Sequence, residues 1–434
     1  MSALTEAAAA LLEAARRAGA ETAAVGLYQG VSLGVQRRLG KIEETERAET
    51  TELGLRVFVG RRAAAISANE VDFAAFPRLA EQAVAMAKVV PEDPYDEIPE
   101  APPPPDSGFL DLDDPREPAA ETLIARAAAA EEAALAVPGI TNSEGASASW
   151  SRYVSVRATS RGFIGEYARS THAVSVTAIA GTGTQMQRDY DFSSALHGED
   201  LADAAQLGRD AAARALARLN PRRPATARLP VIYAPRVAGS LLGHLAGAIS
   251  GAAIARGTSF LKDALGQSLF AAGVNVVDDP LRVRGLRSRP YDAEGQTVRR
   301  MNFIAGGVLT DWVLDTRSAN QLGLKSNGHA GGLTNFYMEP GRLTPAGLMA
   351  DIGEGLLVTE LIGMGVNGLT GDYSRGAAGF MIRNGEIAEP VAEFTIAGNL
   401  KEMFARLTPA DDLEFKRGTD APSLRVEGMT LAGA

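Results

Sequence analysis

The chain contains no cysteine and only four histidines, His172, His197, His244 and His329, in 434 residues. The first absence excludes disulfides, thiolate nucleophiles and cysteine-ligated zinc or iron–sulfur sites. The second excludes the helical histidine–glutamate–histidine pattern of zinc hydrolases, because no two of the four can share one helix face. A zinc site gathered from distant residues has no positive support. A basic balance is lacking as well: the formal net charge is −10, which argues against direct contact with nucleic acid. No secretion signal is recognisable, since the apolar stretch of MSALTEAAAALLEAARRAGAE carries Glu6 and Glu13 and reads as an amphipathic helix. The expected location is cytoplasmic, without membrane contact.

What is present is ordinary for a globular chain: 46% hydrophobic and 22% charged residues, over a length that suggests two or three domains. Residues 4–18 have helical spacing and stop at Gly19; residues 23–68 turn to strands, with Leu53, Leu55, Val57 and Val59 alternating. Residues 76–89 return to helix. The same order recurs beyond a proline-rich connector at 91–106: helix at 117–137, strands at 146–157, 162–179 and 185–190, helix at 201–219. This predicts two similar α+β layers, residues 1–105 with the connector and residues 106–225, ahead of a third part, 226–434.

The third part opens with a short strand at 229–234 and a helix in which Gly239, Gly243, Gly247 and Gly251 recur every fourth residue. They form a ridge without side chains that would let another helix or sheet approach closely. Residues 237–255 carry no charge except on a protonated His244, yet their alanine, glycine and serine suit a buried helix better than a membrane span. Between Asp210 and Asp263 there is no carboxylate, so this helix offers neither a metal-ligand pair nor a general base. Farther on, Asp278, Asp279, Asp292 and Glu294 are candidate catalytic carboxylates, although acids beside proline and glycine more often serve turns and caps. A strand pair is expected around Gly306-Gly307, a hairpin turn at Asn384-Gly385 and a helix capped near Asn399.

The densest polar and glycine signal is residues 355–379, GLLVTELIGMGVNGLTGDYSRGAAG. Its glycines frame Asn367, Thr370, Asp372, Ser374 and Arg375, groups able to position a ligand. A tight glycine corner accounts for them equally well. Ser326 and Asn327, in the second glycine-rich loop Ser326-Asn327-Gly328-His329, complete the candidate substrate-binding set. Two short matches are set aside. GVSLG at 30–34 continues as strand where a nucleophile elbow needs a helix, and GMGVNG at 363–368 runs into turns where a dinucleotide site needs one.

LLGHLAGAISGAAIARGTSFLKDALG, the DDP with the GL-S-P-D-EG pattern after it, VTELIGMGVNGLTGDYSRGAAGF and NGE-PV-E-TIAGNL together resemble the TldE (PmbA) side of the TldD/TldE metalloprotease family, peptidase U62. The likeness runs from about Val31 onward and is densest after Pro230. It implies an α+β fold, with two-part N-terminal α/β layers followed by a β-rich C-terminal domain holding a buried glycine-ridged helix. It implies a heterodimer with a TldD-like subunit that degrades or processes unfolded and small peptides, and it leaves room for a homodimer when the chain is alone. On the TldD side the helix carries a HExxxH zinc motif and a cysteine supplies a further ligand. Laid on this sequence, the two histidine positions fall on Gly243 and Ala248 and the glutamate position on His244. The resemblance thus implies no metal and no catalytic residue in this chain, with zinc in the TldD partner.

Three functions compete. The leading expectation is a non-catalytic subunit that helps form the peptide channel, where an extended peptide can pair with an exposed strand. The second is a stand-alone hydrolase using Asp278, Asp279, Asp292 or Asp372. The third is a regulatory binding protein linked to DNA gyrase.

Overall fold

A computed structural model describes residues 2–433. Ser2 accepts a hydrogen bond from the Thr5 N–H and starts α1 (Ala3–Arg17), and Gly19, at φ +98°, ends it. The chain then forms β1 (Thr22–Arg38), β2 (Lys41–Val59), β3 (Arg62–Ala68) and α2 (Phe76–Val89). After the connector come α3 (Ala120–Leu135), β4 (Ile140–Thr159), β5 (Ile164–Ala180), β6 (Gln187–Ala195) and α4 (Ala204–Ala217). The two expected layers are therefore present, and they are joined edge to edge. β1 pairs with β2 on one side and β4 on the other, giving one antiparallel sheet of order β3-β2-β1-β4-β5-β6.

Position along β1 explains how one strand serves both layers, because its buried residues alternate onto one face and fall near its two ends. Val25 and Leu27 pack with Leu11 of α1 and Val84 of α2, whereas Leu33 and Val35 pack with Leu123 of α3 and Ala211 of α4. Each fully buried leucine or valine contributes roughly 1.5–3 kcal/mol, so the central strand ties the halves into one body. Helices α3 and α4 cross closely, because a Cβ on Gly208 would lie 2.1 Å from the Ala130 carbonyl oxygen. The proline-rich connector runs over the surface, fastened by the Asp93–Arg317 ion pair at 2.7 Å and by the Asn320 side chain donating to the Tyr95 carbonyl.

The third part begins with β7 (Ala227–Tyr233), α5 (Pro235–Ala248) and α6 (Gly251–Ala255). A small sheet follows, built from β8 (Val276–Asp278), β9 (Met301–Ala305), β10 (Val308–Leu309) and, beyond α7 (Thr316–Leu322), β11 (Phe336–Met338), with a short strand at Thr419–Asp420 completing it. Then come α8 (Pro345–Met349), β12 (Glu354–Ile362), β13 (Asp372–Arg383), β14 (Glu386–Asn399), α9 (Leu400–Ala405), β15 (Leu407–Pro409), β16 (Thr419–Asp420) and β17 (Leu424–Ala432). The order β14-β13-β12-β7-β17 closes on itself, because β14 also pairs with β17 through Thr395–Ala397 and Thr430–Ala432. The closing seam is three residue pairs long, and an isolated bridge from Arg222 to Val391 lies along β14 before it. Bulges after Val358, Ala377 and Val426 supply the bends that closure needs. The expected hairpin turn is present, with Asn384 at φ +51° and Gly385 at φ +82° between β13 and β14, and Asn399 caps α9 by accepting from the Lys401 N–H.

The glycine-ridged helix differs from expectation in two ways. It is broken after Ala248, where the Gly251 N–H leaves the helical ladder to donate to the Val313 carbonyl at 2.8 Å. Its ridge is also used only at the ends. A Cβ on Gly239 would meet Thr419 O at 2.6 Å and one on Gly251 would meet Val313 O at 2.8 Å, whereas Gly243 and Gly247 are exposed and would meet nothing within 4 Å. The helix buries Ala238, Leu241, Leu242 and Leu245 on its other side. Among the described residues, no helix is long and apolar enough to cross a membrane.

Candidate functional site

The open side of α5 is where the chain offers unused surface. Strand β7 delivers the chain to Pro235, whose fixed φ and missing N–H suit the first turn of α5. Strand β12 runs parallel to β7, and the 363–371 loop carries the chain across to β13 beside His244. His244 lies edge-on to Tyr373, with ring centroids 5.9 Å apart, and burial, then the Arg375 charge, lower its pKa.

Most of the candidate residues in that loop hold the loop itself. Asn367 Oδ1 accepts from the Leu369 N–H at 2.9 Å. Thr370 Oγ1 donates to Asp372 Oδ2 at 2.6 Å, and Asn399 Nδ2 donates to Asp372 Oδ1 at 3.1 Å. The Thr370 hydroxyl, followed by the Asn399 amide, holds the Asp372 carboxyl below its usual value. Ser374 is exposed, and its N–H donates to Gly365 O at 2.7 Å. Arg375 behaves differently: its Nε reaches only Ile362 O, at 3.4 Å, and its side chain lines a cleft.

Ser326 and Asn327 are not brought to this place. Ser326 Oγ donates to Leu314 O, and the Asn327 side chain donates to Trp312 O at 2.8 Å and accepts from the Leu314 N–H at 3.1 Å. They belong to a buried knot. In it Asp278 accepts from the Thr334 N–H at 2.6 Å and the Thr334 hydroxyl at 2.9 Å, with His329 Nε2 at 3.2 Å. Asp292 accepts from the N–H groups of Glu294, Gln296 and Ala330, and Asp279 from that of Leu281. Glu294 accepts from the N–H and the hydroxyl of Thr316, yet burial pushes its pKa up to about 7. These acids work as turn and cap acceptors.

The cleft lined by Arg375 has a volume of about 680 Å³ and lies where β6 and the end of α4 face α5, β12 and β16. Six arginines line it: Arg188, Arg218, Arg236, Arg287, Arg375 and Arg417. Asp189, itself buried, holds Arg218 at 3.2 Å and Arg236 at 2.5 Å; Arg218 also pairs with Glu360, and Arg188 with Glu144. The other three have no carboxylate partner among the described residues. Arg287 reaches Thr419 Oγ1 at 3.3 Å, and Arg417 lies 4.6 Å over the Phe192 ring. A carboxylate arriving 4 Å from one of them would gain about 1 kcal/mol in water and roughly four times that beside a protein wall. Exposed Gly243 and half-buried Gly239 and Ser240 form its floor. A second cavity of about 580 Å³ continues past Arg218, Arg236 and Arg417 and is lined by Tyr190, Phe192, Phe380 and Ile387. Arg375 was legible as a candidate; the other five arginines were not, since each sits in a different stretch with no shared spacing.

The residues at the middle of α5 do not fit a metal ion. Gly243 and Ala248 have no side-chain donor atom, and His244 lies beside the cationic Arg375. No chemical step is therefore routed through a metal here.

Three regions match known domain families: residues 226–433 the PmbA/TldA metallopeptidase C-terminal domain, 113–219 its central domain and 23–87 its domain 1. Metalloprotease PmbA of Escherichia coli O157:H7 is 39% identical over 421 residues, covering 96% of this chain and 92% of that protein. A candidate modulator of DNA gyrase from Bacteroides thetaiotaomicron is 25% identical and superposes with a TM-score of 0.91 over 100% of both chains. TldE from Thermococcus kodakarensis, 19% identical, shares the fold with a TM-score of 0.86 over 98% of this chain and 100% of that one.

Proposed function

The chain belongs to the PmbA/TldD metallopeptidase family, and from that premise we propose that it is a metal-free subunit of a two-subunit peptidase. Its partner would be a TldD-like chain carrying the zinc and the general base, and its substrates unfolded or small peptides in the cytoplasm. The exposed glycine side of α5 and the adjoining cleft would form one wall of the peptide channel. The observation that carries this reading is the exposed Gly243, with nothing within 4 Å of where its Cβ would be, at the position where the resemblance puts a metal-binding histidine in the sister subunit. A surface so open suits close approach by a partner or an extended backbone. The stand-alone hydrolase is less well supported, because Asp278, Asp279, Asp292 and Asp372 each accept hydrogen bonds from neighbouring donors.

The test is to mix the chain with a TldD-like protein and follow complex formation, zinc content and peptide cleavage, with and without chelator. A complex whose cleavage needs zinc, beside an inert and zinc-free lone chain, is the expected result. Stoichiometric zinc together with peptidase activity in the lone chain would reject it.

A further inference from the structure

The basic cleft has a charge balance opposite to that of the whole chain. Six arginines face two acids there, Asp189 and Glu360, in a molecule of formal net charge −10. Asp189 and Glu360 are occupied by Arg218 and Arg236, which leaves Arg287, Arg375 and Arg417 without carboxylates. The floor at Gly239 and Gly243 admits a main chain, and the neighbouring cavity offers Tyr190, Phe192, Phe380 and Ile387. The acids that also line it are engaged within the fold: Asp191 by Arg214, Glu414 by Lys416, Asp412 by Ser423 and Asp420 by the N–H groups of Lys416, Arg417 and Gly418. Cations over a glycine floor, continuous with an apolar recess, match a segment whose acidic side chains alternate with large apolar ones.

We infer that this cleft binds acidic segments of an extended peptide, with Arg287, Arg375 and Arg417 taking the carboxylates and the Tyr190–Phe192 recess taking an apolar side chain. The inference rests on the proposed channel wall and names the class of peptide that it selects. Three guanidiniums without carboxylate partners exceed what one terminal carboxylate can engage in a bidentate fork, so side-chain carboxylates are the recognised groups.

The probe is a fluorescein-labelled, C-terminally amidated peptide in which glutamates flank leucine and phenylalanine, titrated with the full chain by fluorescence anisotropy. Binding should weaken about tenfold when the glutamates become glutamines, and about tenfold in an Arg287→Gln/Arg375→Gln double variant. It should also weaken as salt is raised. Arg47→Gln, on the exposed part of β2, should leave it unchanged. Arg287 and Arg375 bond only to a hydroxyl and a main-chain oxygen, so the double variant is expected to fold; if it does not, Arg417→Gln and the salt series on the unaltered chain decide. Equal binding of the glutamine peptide, indifference to the arginine variants or to salt, or equal binding of a glutamine peptide with a free C-terminal carboxylate would overturn the inference. Tighter binding of a single-stranded oligonucleotide would overturn it too. Gel filtration with a TldD-like subunit separates the two ideas. Acidic-peptide binding without a complex removes the subunit reading and keeps the cleft; a zinc-dependent complex indifferent to acidic peptides does the reverse.

Discussion

The buried knot around Asp278 and the open side of α5 use polar and small residues in opposite ways. In the knot, Asp278, Asp292 and Glu294 collect main-chain and hydroxyl donors from segments distant in sequence. On α5, an added Cβ at Gly243 or Gly247 would meet nothing within 4 Å, and Arg375 nearby has no carboxylate partner among the described residues. The acids could be read from the sequence as catalytic carboxylates or, more commonly, as turn and cap acceptors, and they accept bonds of the second kind. Unused capacity marks a place for a partner better than polar density does.

The sharpest break of this comparison is Asp278→Ala. Asp278 is fully buried, and its loss strands the Thr334 N–H and hydroxyl and removes the acceptor facing His329. Stranding buried donors and a charged group's partners costs about 3–5 kcal/mol. Urea unfolding should show a large fall in stability. A variant with unchanged stability but no activity in a reconstituted pair would make Asp278 catalytic and reverse the assignment.

A smaller effect comes from Glu294. Burial pushes its carboxyl up to about 7, and the Asp292 charge adds to this against the opposing Thr316 bonds. The folded state therefore holds the proton more tightly than the unfolded chain does. The stability this proton supplies is fully present below pH 4.5 and lost as pH rises through about 7. Glu294→Gln cannot ionise and still offers Thr316 an acceptor. It should remove a loss on the order of 2 kcal/mol across that window, read as a flatter plot of melting temperature against pH. A variant with the same pH slope as the parent would place the titration elsewhere.

Local signals in the sequence were legible because they need only near neighbours. The helices at Ala3–Arg17 and Phe76–Val89, the Asn384-Gly385 turn and the Asn399 cap all follow from spacing within a few residues. The β1–β4 pairing that merges the two layers was not legible, since it joins residues such as Val25 and Ala158 through long-range register. The cleft was hidden for the same reason: Arg188, Arg287, Arg375 and Arg417 meet only after four separate stretches of chain fold together. The loop at 363–371 was visible as a glycine-rich unit, and the Asn367–Leu369 and Thr370–Asp372 contacts lie within two residues, but the Asn399 amide that completes the Asp372 site comes from 27 residues away.

The smallest predicted change on folding is also the one that tests the open surface most directly. Gly243 lies inside α5 with nothing within 4 Å of an added Cβ. In a helix interior alanine is favoured over glycine by about 1 kcal/mol, so Gly243→Ala should raise the melting temperature of the lone chain. The same methyl group would stand on the surface proposed to meet a TldD-like subunit. If that subunit or its bound peptide approaches the bare backbone, the variant gains stability alone and loses affinity in the complex. Calorimetry on the lone chain and titration with the partner measure the two effects separately. A gain in both would mean that the middle of the ridge is bare without being an interface, and only then would Gly243 resemble the occupied knot in having no role beyond its own fold.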